Sequence, residues 1–203
     1  MAKAVARYAN ALTEQHPAWS YLTQTRGLTA QTIDHFGLGV VDDPLAGHEQ
    51  YAGRLAIPYL APDGDVLSVR FRRLGEDGPK YATVAGDIPR IFNAAVLEKN
   101  TSRIAVCEGE IDTMTAVQAG IPAIGVPGVS SWRPEWAMPL EQYDVVYVLA
   151  DNDDTGQGRE MGNLIAAQLD NVRVVLCPRG HDVNSLYLTH GKDAVWRLVD
   201  IRE

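Results

Sequence analysis

Cysteine is nearly absent from this sequence: its 203 residues hold two, Cys107 and Cys177, and no Cys-x-x-Cys pair. A disulfide framework and a zinc ribbon both need paired, closely spaced thiols, so neither is expected. Each cysteine sits in or beside an apolar β-like run, which makes it a buried structural residue in a reducing cytoplasm. Long hydrophobic runs are also missing. No apolar stretch approaches membrane-spanning length, and the opening MAKAVARYANALTEQ has no signal-peptide core. There is no internal repeat and no low-complexity segment. Positive charge is in deficit, with a formal net charge of −8. An acidic surface repels a polyanion, which at first argues against nucleic acid.

The distribution of charge weakens that objection. Residues 1–100 hold 10 Lys/Arg against 11 Asp/Glu, whereas residues 101–203 hold 8 against 15. Carboxylates gathered around a divalent cation would produce this asymmetry and still attract phosphate through the ion. With 46% hydrophobic and 22% charged residues, the chain has the composition of a globular protein. Its length allows one large domain or two small ones.

The first third predicts short helices. Ala4 to Leu12 is amphipathic, and Thr29 caps a second helix that Gly37 ends. Strands follow from Gly53: Arg54 to Leu60, with Pro58 marking an edge or a bulge, then Val66 to Leu74, then Lys80 to Val84. From Arg103 the pattern alternates strand and helix. Apolar strands are predicted at Ile104–Cys107, Pro122–Gly125, Val145–Ala150 and Val172–Leu176, with helices between and after them. The expectation is an α/β protein in two parts: residues 1–100 a smaller mixed α+β domain, and residues 101–203 a Rossmann-like βαβ domain with a parallel sheet.

Three acidic clusters each fall just past a predicted strand. They are Glu108-Gly109-Glu110-Ile111-Asp112, Asp151-Asn152-Asp153-Asp154-Thr155-Gly156 and His181-Asp182-Val183-Asn184. Ligands of open α/β sheets bind beyond the carboxyl ends of the strands, so the three clusters are expected to converge. Converging carboxylates repel unless a cation neutralises them. An all-oxygen donor set favours Mg2+ or Mn2+ over zinc. Gly109 and Gly156 would let an ion or substrate approach the backbone. A turn rich in Asp, Asn and Gly has conformational uses too, and Asp112 also fits a solvated first-turn acid favoured by the helix dipole. In the strand around residue 71, Arg70 and Arg72 share a face that Arg73 does not. Tyr81 suits either base stacking or core packing.

These residues resemble a known family. Glu108-Gly109-Glu110-Ile111-Asp112 resembles the Glu-Gly-x-x-Asp motif that opens the TOPRIM fold, and Asp151-Asn152-Asp153 its Asp-x-Asp motif. Asp182 and Asn184 resemble the third acidic motif of primases, with Asn184 where many primases carry a second Asp. The first half is similar to DnaG-type primases as well, in Arg26-Gly27-Leu28-Thr29, in Gly53-Arg54-Leu55-Ala56-Ile57-Pro58, in Arg70-Phe71-Arg72-Arg73-Leu74 and in Gly78-Pro79-Lys80-Tyr81.

The resemblance implies a primase catalytic core: a nucleotidyltransferase that makes short RNA primers on single-stranded DNA from ribonucleoside triphosphates during replication. It implies Glu108, Asp151 and Asp153 as catalytic, and Glu108, Asp151, Asp153 and Asp182 as ligands of Mg2+ or Mn2+. Gly109, Asp112, Gly156 and Asn184 support them, and Arg54, Arg72 and Lys80 hold template or nucleotide phosphates. The zinc ribbon and helicase-linked parts of primases are missing, so a separate zinc-binding module and a replicative helicase are expected partners. The stripped-down arrangement leans toward a phage-type protein in the host cytoplasm, and no membrane association is expected. The alternatives are a TOPRIM nuclease, in which the same metals activate water, and a non-catalytic single-stranded DNA-binding accessory subunit of a replisome.

Overall fold

The structure, a computed structural model, describes residues 1–152 and 156–200, without the side chain of Val129. It divides into two compact units, Met1–Ile88 and Pro89–Glu203. Segment 89–100, placed with the first half on sequence, contributes Ile91, Val96 and Leu97 to the core of the second unit.

The first unit begins with helices α1 (Ala2–Ala11), α2 (Pro17–Ser20) and α3 (Ala30–His35), with a π-helical turn at Tyr21–Thr25 between α2 and α3. The expected cap is present: the Thr29 hydroxyl accepts from the Thr32 amide at 3.2 Å. The sheet that follows is antiparallel, in the order β1 (Gly39–Val40), β2 (Leu55–Leu60), β3 (Val66–Arg72), β4 (Tyr81–Thr83). Its core gathers Tyr8, Val41, Tyr51, Ala56, Val69 and Phe71. Tyr51 and Phe71 stack with ring centroids 4.0 Å apart. Helix α1 lies close on β1, since a Cβ on Gly39 would come within 2.5 Å of the Ala9 amide.

Pro58 lies in an inner strand, not an outer one. However, β1 pairs only with Leu55 and Ala56, and the β2–β3 register shifts at Tyr59/Leu60. The proline therefore sits where β2 has lost one neighbour and approaches a bulge, which is where a missing N–H is tolerated.

The second unit is a parallel sheet in the order β6-β5-β7-β8. Along the chain it runs β5 (Arg103–Cys107), α4 (Glu110–Gln118), β6 (Ala123–Gly125), β7 (Val145–Ala150), α5 (Gln157–Ala166), β8 (Val172–Leu176), α6 (Val183–His190) and α7 (Lys192–Val199). The continuous apolar strands follow from burial on both faces. Ala105, Cys107, Tyr147 and Leu149 pack with residues of α4, α6 and α7. Their alternate neighbours Ile104, Val106, Val146 and Val148 pack with Met161 and Ile165 of α5 and with Leu140. No helix among the described residues is long and apolar enough to cross a membrane.

Candidate metal centre and basic cluster

The strand order decides where ligands can gather. From β5 the chain steps one way to β6, and it then crosses back to place β7 on the other side of β5. The connections leaving the carboxyl ends of β5 and β7 thus diverge, opening the crevice in which doubly wound sheets bind ligands. Glu108 follows β5 and Asp151 follows β7. Asp112 lies in the first turn of α4, and Asp182 is the N-cap of α6.

Carboxylate oxygens of Asp112, Asp151 and Asp182 all lie within 4.8 Å of one another, half-buried. Three like charges at this spacing repel strongly unless a cation lies among them. All three donors are carboxylate oxygens, which fits a hard divalent cation. Glu108 stands beside the group: its Oε1 accepts from the Asp151 amide at 3.0 Å and braces the turn that follows β7. Asp153, expected to share the metal, lies outside the described residues.

Backbone donors hold the acids in place. Asp112 Oδ1 accepts from the Asn184 amide at 3.0 Å, and Asp182 Oδ1 accepts from the Ser185 amide at 2.6 Å in a reciprocal capping box. Asn184 is buried, and its Nδ2 donates to the Thr115 hydroxyl at 2.9 Å, joining α6 to α4. Its side chain thus supports the helix that carries Asp112. Two positions with no role assigned from sequence also matter. Asn152 Nδ2 donates to the Cys177 carbonyl at 2.8 Å, and its backbone exchanges hydrogen bonds with Gly180 and His181. This ties the turn carrying Asp151 to the turn carrying Asp182. Gly158 lies against the site: a Cβ there would collide with Glu108 Oε1 and come within 2.6 Å of the Asp151 carbonyl.

Of the glycines singled out from sequence, Gly156 takes φ +73° as the N-cap of α5 with open space around its Cβ position. Gly109 has extended backbone, and a Cβ there would make only ordinary contact with Asp112. Close approach is therefore enforced at Gly158, and backbone conformation at Gly156.

Both cysteines are free and buried. Burial pushes the Cys107 thiol well above its ordinary range, and Asp112 and Asp151 push it further, while a hydrogen bond from Thr113 opposes them. The Cys177 thiol is raised by burial and then by Asp151, Asp112, Asp182 and Glu108. Two neutral thiols therefore sit close to the acidic group.

The first unit carries the cations singled out from sequence, Arg54, Arg72 and Lys80. Arg72 is 6% exposed, and its Nε donates to the Tyr21 hydroxyl at 2.9 Å and its Nη1 to the Tyr81 hydroxyl at 2.5 Å. Burial lowers its pKa, but Tyr81 and Tyr21 outweigh that and the net direction is upward. The Arg70 guanidinium lies 4.1 Å from the centroid of the Tyr81 ring, and Lys80 Nζ lies 5.8 Å from it. Tyr81 is thus neither core nor an isolated stacking platform; it is a ring surrounded by cations. Arg54 Nη1 donates to the Pro79 carbonyl at 2.9 Å, fixing the turn that leads to Lys80. Arg73 bonds the carbonyls of Glu76 and Gly78 instead.

Residues 105–187 match the family described as Toprim-like. The Gene 57 protein of Mycobacterium phage D29 is 42% identical over 149 residues, covering 71% of this chain and 97% of that protein. The DNA primase of Neisseria meningitidis is 24% identical over 91% of this chain, but the chain spans only 38% of that primase. In three dimensions, the RNA polymerase domain of the Mycobacterium tuberculosis primase DnaG aligns with a TM-score of 0.80 at 24% identity, over 99% of this chain and 81% of that one. The same domain in complex with a double-stranded DNA oligomer with a 6-nucleotide overhang gives 0.79 at 23% identity, over 100% of this chain and 78% of that one.

Proposed function

We propose that this chain, which belongs to the TOPRIM family in its DnaG-type primase-core branch, joins ribonucleotides into short RNA primers on single-stranded DNA with the help of Mg2+ or Mn2+. One observation carries the proposal: Asp112, Asp151 and Asp182 meet within 4.8 Å at the switch point of a sheet with the primase-core fold. A divalent cation bound there supplies Lewis acidity toward a 3′-hydroxyl and toward triphosphate oxygens. Asp112, Asp151 and Asp182 hold it, with Asp153 as a further ligand. Glu108 keeps Asp151 in place through the Asp151 amide and is the group available to accept the proton of the 3′-hydroxyl. No side-chain nucleophile is required. Positioning and charge stabilisation supply most of the rate.

Arg72, Lys80 and Arg54 serve the phosphates of nucleotide or template, the first two directly and Arg54 by fixing the turn before Lys80. The DNA held by the M. tuberculosis domain supports a nucleic-acid template for this chain. The chain spans about a third of the length of the bacterial primases it matches, and a zinc-binding module and a replicative helicase are proposed as partners.

The test is RNA synthesis on single-stranded DNA with Mg2+ or Mn2+, wild type beside Asp151→Ala. Template-dependent RNA products should fall about 10²–10³-fold in the variant, the scale of losing one electrostatic group in a preorganised site. Metal-dependent cutting of the template with no RNA product would assign the site to a nuclease. Single-stranded DNA binding with neither product, unaffected by loss of the carboxylates, would leave an accessory binding subunit.

A further inference from the structure

The basic cluster contains a feature that its phosphate role does not explain. A guanidinium as buried as Arg72 is ordinarily paired with a carboxylate, because an unpaired buried charge is costly. Among the described residues its partners are two phenol oxygens, those of Tyr21 and Tyr81. A phenol satisfies an N–H donor without cancelling the charge. Two of the five guanidinium donors are used in this way, and the positive charge of Arg72 stays intact for an anion.

Tyr21 makes a second bond of the same kind. Its hydroxyl also accepts from Arg26 Nε at 2.8 Å, so a single oxygen bridges two guanidinium groups that lie 46 residues apart in sequence. The backbone is shaped for this. Tyr21 opens the π-helical turn, and the Arg26 amide donates to the Tyr21 carbonyl at 3.0 Å, five residues back. This wide turn brings Arg26 under the Tyr21 ring, its guanidinium carbon 5.2 Å from the centroid. Single π turns are rare and are frequent at functional sites.

We infer that Tyr21 is a positioning residue, whose hydroxyl fixes the spacing of Arg26 and Arg72 so that the two guanidinium groups present one preformed cradle for a phosphate group. The inference rests on the phosphate role proposed above for Arg72 and names the element that organises it. The phosphate could belong to a nucleoside triphosphate or to the template strand; the chemistry is shared, and binding measurements separate the two.

The experiment compares wild type, Tyr21→Phe and Arg72→Ala in equilibrium binding of ATP and of a fluorescein-labelled oligodeoxythymidylate, across a salt series, with thermal unfolding of each protein alongside. Tyr21→Phe removes only the oxygen. It should weaken one probe about tenfold, the scale of a hydrogen bond to a charged group, with only a modest fall in the unfolding midpoint from the Arg72 donor left without its acceptor. Weakening confined to ATP assigns the cradle to the nucleotide. Weakening confined to the oligonucleotide, with a salt slope reduced by about one per lost phosphate contact, assigns it to the template. Wild-type binding of both probes by Tyr21→Phe, while Arg72→Ala loses one of them, overturns the role of Tyr21 and leaves the phosphate role of Arg72 standing. Wild-type binding by both variants removes the phosphate role and the inference together. Equal weakening matched by a large fall in the unfolding midpoint makes Tyr21 merely structural and also overturns the inference.

Discussion

The acidic group of the second unit and the basic cluster of the first solve opposite electrostatic problems by different constructions. Asp112, Asp151 and Asp182 are each delivered by a separate element, at a strand end or a helix start, and Asp112 and Asp182 accept hydrogen bonds from backbone amides. A backbone donor at a helix start is fixed by the fold itself, so these carboxylates hold their places whatever surrounds them. The cations around the Tyr81 ring are held differently. Arg70 and Arg72 project from β3 and Lys80 from the turn before β4, all on long flexible stems, and they are ordered by aromatic rings and phenol oxygens. Acids at this spacing are balanced only by a cation among them, whereas the phenol oxygens that hold Arg72 satisfy its N–H groups without cancelling its charge. A metal centre calls for the first arrangement and a phosphate cradle for the second.

If the acids are spaced for a metal, Mg2+ should raise the unfolding free energy of the wild type by about 2.7 kcal/mol at one hundred times its dissociation constant. Asp112→Asn should lose most of that increment and, by relieving repulsion, melt higher than wild type in EDTA. A wild type whose melting ignores Mg2+ would show that the backbone donors alone hold the acids together.

The glycines sharpen the point at smaller scale. Gly158→Ala would drive a methyl group into Glu108 and the Asp151 backbone. Urea denaturation should register a loss of about 1–3 kcal/mol, the usual cost of overpacking, together with weaker Mg2+ protection. At Gly156 only the left-handed backbone is at stake. Alanine there should cost about 1–2 kcal/mol and leave the metal dependence unchanged.

The smallest effect concerns the thiols. Cys107 and Cys177 are at most 1% exposed, and burial raises the pKa of each. Iodoacetamide should leave both unmodified in the native protein and alkylate both in urea, as mass spectrometry would record. Native-state labelling would mean that the core holding both thiols opens.

Much of the second unit was legible because its signals are local. Apolar strands buried on both faces read as unbroken runs, and acids placed just beyond them mark the carboxyl edge of a parallel sheet. The sequence even placed Asp112 in its motif, yet a first-turn acid has an equally good solvated explanation, and only the return of α6 against α4 brings it to Asp151 and Asp182. Gly158 was invisible for a related reason: glycine in a helical pattern does not announce what presses on it. Pro58 pointed to an outer strand or a bulge, and the short reach of β1 and the register shift at Tyr59/Leu60 account for that.

By itself the sequence determined which residues carry charge, which strands are buried and where each acidic turn falls, because period and turn chemistry act within a few residues. The tertiary structure alone decided which charges meet. The crossover from β6 to β7 sets the acids around a switch point, Asn152 joins two turns 25 residues apart, and Tyr21 reaches Arg72 across 51 residues. Such contacts depend on how the chain is routed through the fold, and routing leaves no local mark on the sequence.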